Sequence, residues 1–246
     1  MLNTLSFAAG SHDVPSLSRT STFFVDFPLA IGEYCGGMFS LQQLFGKSDK
    51  FHQLLEAAAQ EAHDSVRLVL QLIKHPREKQ TLDDLVLARC KQKKIAEQIS
   101  EELVKTFLTG LEREDIEALA VALRKIPKTA EKFAGRWELA AAHLEGVDFT
   151  RQAELMEQAT GVLLTMVQQL HDMKHLEKLK NLNDKLQYVE GEADKLMLEL
   201  LRELYSGKFD ALRAIVIRDL YELMEKVVDR CRDAGNIIMH IMLSNS

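Results

Sequence analysis

Proline and glycine are scarce: 4 Pro and 12 Gly in 246 residues leave few places where a helix must stop. Cysteine is scarcer still. Cys35, Cys90 and Cys231 are odd in number, far apart and without a C-x-x-C pair, which argues against a disulfide framework or a thiolate zinc site and fits a reducing cytoplasm. No run approaches the roughly 18 to 20 uninterrupted apolar residues a membrane span requires, so a partner would have to bring the chain to a membrane. There is no excess of positive charge either. The formal charge of -6 argues against broad, sequence-blind nucleic-acid binding, which needs a strongly basic surface. Gly-rich phosphate loops, G-x-S-x-G elbows, H-E-x-x-H and Glu-x-x-His signatures are all missing, so no familiar catalytic chemistry is announced.

What is present is helix-forming. Leu, Ala, Glu, Lys and Gln dominate, and 46% of the residues are hydrophobic, enough for a sizeable core. The expected fold class is all-α. Residues 1–37 stand apart because their most apolar run, FFVDFPLAIG, contains Asp26 and Pro28 and reads as no signal peptide. They form an N-terminal extension: disordered, a docking tail, or sequence upstream of a start at Met38. Residues 38–246 are expected to make the folded part.

The sequence repeats itself. Leu54, Leu55, Glu56, Ala58, Val66 and Val69 match Leu155, Met156, Glu157, Ala159, Val167 and Leu170, each 101 positions later. The same offset pairs Ile95, Ile99 and Leu103 with Leu196, Leu200 and Leu204, then Ile116, Leu119 and Leu123 with Ile217, Leu220 and Met224. Two units result, about 51–133 and 152–234. Periodicity and punctuation divide the first into helices over about 49–74, after the cap-like Thr81-Leu82-Asp83-Asp84 to near Thr109-Gly110, and over about 112–144, with Pro127 kinking the third. In the second unit, breaks are expected near Asp148-Phe149, within 172–183, and at Ser206-Gly207. Short connections then favour one elongated six-helix bundle with a shared core.

Two carboxylate rows lie beside apolar stripes in the second unit. Glu190 and Asp194 are one helical turn apart, as are Glu225, Asp229 and Asp233, and antiparallel packing would let the rows converge. Stacked like charges are costly near a core, so either a hard cation or Lys and Arg partners should neutralise them. A solvated acidic face is the alternative. Subtracting 101 from these five positions gives Arg89, Lys93, Arg124, Lys128 and Lys132, so every acid is matched by a base. The first unit is thus expected to carry a basic patch suited to anions or acidic segments, or simply cations extended from a bundle surface. His171 and His175 share a helical face without acidic companions and read as surface histidines; Trp137 and the phenylalanines read as packing.

The segments MFSLQQLFGKSDKFHQLLEAAA, KTFLTGLEREDIEALAVAL, VEGEADKLMLELL and LMEKVVDRCRDAGNI together resemble the PhoU-like accessory proteins associated with Pit-type phosphate permeases. That resemblance covers about residues 38–243 and implies a duplicated three-helix bundle with acidic E-x-x-x-D motifs that bind metal clusters. The motif is intact as Glu190 to Asp194 and Glu225 to Asp229 and is missing from the first half; Asp233, one turn beyond Asp229, is a candidate fifth ligand by its spacing alone. The resemblance implies a non-enzymatic cytoplasmic regulator of phosphate transport that docks on a phosphate permease at the membrane face, with one di- or trivalent ion site for iron, zinc, manganese or magnesium. A carboxylate-bridged metalloenzyme and a metal-free helical adaptor are the rival readings. A homo-oligomer is left open.

Overall fold

The computed structural model describes residues 49–75, 80–106, 109–171 and 176–244. They form six helices: α1 Asp49–Lys74, α2 Gln80–Lys105, α3 Arg113–Ala140, α4 Thr150–Gln168, α5 Leu176–Leu204 and α6 Ala211–Ser244. Short 3-10 turns follow α3 and α4, and no strand occurs among the described residues. The expected extension and the boundary at 37 and 38 lie outside the described residues.

Each helix presents an apolar stripe at helical spacing, and burial of that stripe decides the packing. Leu55, Val66, Ile99, Leu123, Met156, Leu163 and Met224 are almost fully buried. Each such side chain contributes about 1.5 to 3 kcal/mol relative to exposure. The stripes of both units feed one core, as expected. Phe133 and Trp137 of α3, Phe149 in the connection and Tyr221 of α6 join the halves, with Trp137 edge-on to Phe149 at 5.1 Å and Phe149 also 5.1 Å from Tyr221.

Helices α2, α3, α6 and α5 lie side by side in that order, and α1 and α4 pack together across one face of this layer. The halves meet along two antiparallel seams. His63 Nδ1 lies 3.0 Å from Thr160 Oγ1 between α1 and α4. Between α3 and α6, Arg136 pairs with Asp219 at 3.5 Å and Arg230 donates to the Lys125 carbonyl at 3.3 Å. Two residues on from that last contact, the register sets Pro127 beside Val228, its own equivalent in the repeat. An approximate two-fold axis therefore crosses the α3/α6 seam there.

Pro127 sits within a continuous α3, as the sequence suggests. It cannot donate to the Leu123 carbonyl. Two residues later the Thr129 hydroxyl donates to the Lys125 carbonyl at 2.8 Å, a side-chain bond of the kind that bends helices. Other boundaries moved slightly. Helix α2 begins at Gln80, so Thr81 to Asp83 lie in its first turn and Asp84 follows them inside the helix rather than in a cap, and α3 gives way to a 3-10 turn at Ala141–His143. The break expected within 172–183 falls before Leu176, because Leu179, Leu186 and Val189 already supply a buried helical stripe from that point.

Candidate acidic site and its basic counterpart

Helices α5 and α6 run antiparallel, and their carboxylate rows meet. Glu190, Asp194 and Asp229 each offer an oxygen lying within 4.8 Å of the others. Glu190 and Asp229 are half-buried, while Asp194 is exposed. Close approach of the two helices is possible because Gly235 is buried on α6: a Cβ there would come within 2.6 Å of Leu186 Cδ2 on α5. The equivalent position in the first half is Ala134.

Burial and neighbouring carboxylates together raise two carboxyls of the α6 row, Glu225 and Asp229. Burial pushes the Glu225 carboxyl above its ordinary range, and Asp229, Asp194 and Glu222 push it further, against a smaller pull from Lys226. Asp229 is also raised, first by burial, with Arg232 opposing and Asp194 and Asp233 adding to the shift. Glu225 therefore feels the three-carboxylate group without belonging to it. Asp233 does not join it either. It lies 3.8 Å from the Arg232 guanidinium with its own side chain largely in solvent.

Arg232 is the counter-charge inside the site, 3.4 Å from Glu190. Of the other cations beside the rows in sequence, Lys195 is engaged by Glu192 at 2.8 Å, and Arg230 turns to the Lys125 carbonyl. Three converging carboxylates are hard oxygen donors that suit a Mg²⁺-like or Mn²⁺-like ion, or iron or zinc completed by water. An ion there would compete with Arg232 for Glu190.

The first half repeats the arrangement with the signs reversed. Arg89 on α2 lies 3.5 Å from Glu131 on α3, and adding 101 to both positions gives Glu190 and Arg232. One interhelical ion pair thus occurs twice, inverted. Lys93 is 3.6 Å from Glu97 on its own helix. Burial raises the Glu131 carboxyl while Arg89 and Lys128 pull it down. The basic row is therefore interleaved with Glu97 and Glu131 rather than uniformly cationic. Arg124, Lys128 and Lys132 are exposed. Lys132 reaches the other half: with Arg136 it lines a groove of about 370 Å³ whose far wall includes Glu225, Lys226 and Asp229.

Sequence spacing missed the partnership of Arg89 with Glu131, although the same offset carries Glu131 onto Arg232. It also missed a histidine contact at one end of the α1/α4 pair. His171 stacks on His52 at 4.4 Å and lies 4.0 Å from Glu56. His175 lies outside the described residues. Among the described residues no helix is long and apolar enough to cross a membrane.

No protein-family model matches the chain. It is 23% identical over 202 residues to the UPF0111 protein YkaA of Bacillus subtilis, an alignment covering 81% of this chain and 98% of that protein. Solved structures agree in fold. A PhoU-like protein from Shewanella oneidensis superposes with a TM-score of 0.71 at 16% identity, covering 79% of this chain and 99% of that one. A PhoU-like phosphate regulatory protein from the same organism gives 0.70 at 16% identity, covering 80% and 100%. PhoU from Pseudomonas aeruginosa gives 0.63 at 15%, covering 81% and 98%. The duplicated three-helix bundle, its antiparallel seams and its full-length overlap with these structures together identify the fold as that of the PhoU-like proteins.

Proposed function

We propose that this chain is a non-enzymatic regulator or accessory protein of inorganic phosphate transport that docks on a phosphate permease at the cytoplasmic membrane face. The reading rests on the full-length fold likeness to a PhoU-like phosphate regulatory protein. The geometry supports it in kind: carboxylates converge at the seam between α5 and α6, where Asp194 is exposed and a partner or an ion can reach them. Affinity purification from membranes of phosphate-rich and phosphate-poor cells tests the partner. Recovery of a phosphate permease is expected, and recovery of other membrane proteins in its place would overturn the assignment.

One di- or trivalent cation is assigned to Glu190, Asp194 and Asp229, with Glu225 and Asp233 close enough to adjust its charge balance. When bound, the ion would neutralise the clustered carboxylates and tie α5 to α6. A ligand that binds only the folded state raises the melting temperature by mass action. Adding Mg²⁺, Mn²⁺, Zn²⁺ or Fe³⁺ should therefore raise it by several degrees, and the Asp194→Asn, Asp229→Asn double variant should lose that increment while keeping its helical circular dichroism. An increment unchanged in the double variant would place the ion elsewhere.

A further inference from the structure

The acidic seam has an inner side. A cavity of about 10 Å³ lies between α4, α5 and α6, and its lining includes Glu225 of α6, Gln152 of α4 and the apolar side chains Ala193, Met197 and Val228. One water molecule fills such a volume, whereas a hydrated cation or an organic ligand does not fit. Gln152 is only 9% exposed, and its Nε2 donates to no protein acceptor. Leaving a buried donor unmade is costly, so groups of this kind are paired with protein or with ordered water. Glu225 needs relief as well. Burial, then Asp229, Asp194 and Glu222, oppose its negative charge, and Lys226 gives a smaller pull the other way. An amide donor and a carboxylate acceptor thus share one water-sized space.

The repeat shows where that space comes from. Subtracting 101 from Gln152, Ala193 and Glu225 gives Phe51, Gln92 and Arg124. In the first half the α1 position holds a phenyl ring and the α2 position a long side chain, both buried. In the second half the carboxamide sits on α4 instead, and alanine at 193 leaves room beside it. Gln92 is itself a buried carboxamide, but the charged residue matching Glu225 is the exposed Arg124. By this correspondence only the second half pairs a carboxamide with a carboxylate there.

We propose that this cavity binds one long-lived water, which accepts from the Gln152 amide and donates to the Glu225 carboxylate, and that Gln152 thereby acts as a positioning residue for Glu225. A water molecule suits both ends, since it accepts and donates at once; a bare cation would meet the N–H dipole with the wrong sign. The bond to the ionised carboxylate is charge-assisted, the stronger kind. It holds Glu225 on the core side of its row, aside from Glu190, Asp194 and Asp229, and links α4 to the helix that carries Asp229. The inference depends neither on a bound ion nor on the transport reading, because both partners are set by the fold of the metal-free chain.

NMR of the full chain, isotope-labelled and kept in chelator, tests the water directly. The side-chain amide of Gln152, assigned by its loss in Gln152→Leu, should show a cross-peak to a slowly exchanging water in wild type and in Glu222→Gln, and should lose it in Glu225→Leu. Melting temperatures supply a second measurement. With the bridge in place, Gln152→Leu should lower the melting temperature by roughly 2 to 4 °C, because Glu225 is left without its donor. In the Glu225→Leu background the same change should raise it, because the amide there has no acceptor. Absence of a long-lived water at the Gln152 amide of wild type overturns the proposal, as does an effect of Gln152→Leu with the same sign in both backgrounds. A water found at Gln152 together with no melting increment on adding Mg²⁺ or Mn²⁺ supports this inference and removes only the ion.

Discussion

Glu225 illustrates how one side chain carries the strain of its site. Its carboxyl is raised by burial, then by Asp229, Asp194 and Glu222. A raised folded-state value means the folded protein takes up this proton before the unfolded chain does. The charged form therefore opposes folding at neutral pH, and that opposition disappears as pH falls through the raised value toward the ordinary 4.5. Glu225→Gln should accordingly stabilise the metal-free protein at pH 7 by a few tenths of a kcal/mol, the scale of like charges one turn apart. Chemical denaturation as a function of pH checks the sign: the advantage over wild type should shrink as pH drops to about 4. A gain that grows on acidification would mean that Glu225 makes a favourable ionic contact instead. Adding the bound cation should reverse the ranking, because the carboxylate then has an opposite charge to face.

At the scale of helices, Gly235 is a position where α6 lies close against α5. An added methyl meets Leu186, itself fully buried and unable to swing aside freely. Overpacking costs about 1 to 3 kcal/mol, offset by about 1 kcal/mol from replacing glycine with a better helix former. Gly235→Ala should thus destabilise by about 1 kcal/mol in urea unfolding, whereas Ala134→Gly, its counterpart in the first half, should lose stability through helix propensity and a small void. Helix identity itself was legible from apolar spacing. The ends were less so, because Thr81-Leu82-Asp83-Asp84 read as a cap yet lie inside α2, with Asp83 in its first turn, where an aspartate is equally favourable. The residue types tolerated at a cap and in a first turn overlap, so composition alone could not separate them.

Taken whole, the molecule has one core fed by both repeats, and the junction aromatics belong to neither half alone. Residues 49–147 expressed by themselves should therefore lack a cooperative melting transition, and co-expression with 148–244 should restore it. Independent two-state melting of the first fragment would show two domains rather than one. The candidate site was legible as far as helix faces go: 3.6-residue periodicity put Glu190 with Asp194 and Glu225 with Asp229. It did not reveal that Asp229 completes a group of three while Glu225 stands aside, since that depends on the rotation of α6 against α5, which packing at Gly235 determines. The inverted ion pair also bears on how the two repeats came to differ. If both descend from one duplicated segment, the change from Arg89–Glu131 to Glu190–Arg232, or the reverse, required two substitutions. Whichever came first left two cations or two anions facing each other across neighbouring helices. A direct charge reversal at one position today would create that like-charge contact. The polarity of each half is therefore entrenched: neither repeat can drift back toward its sibling one residue at a time.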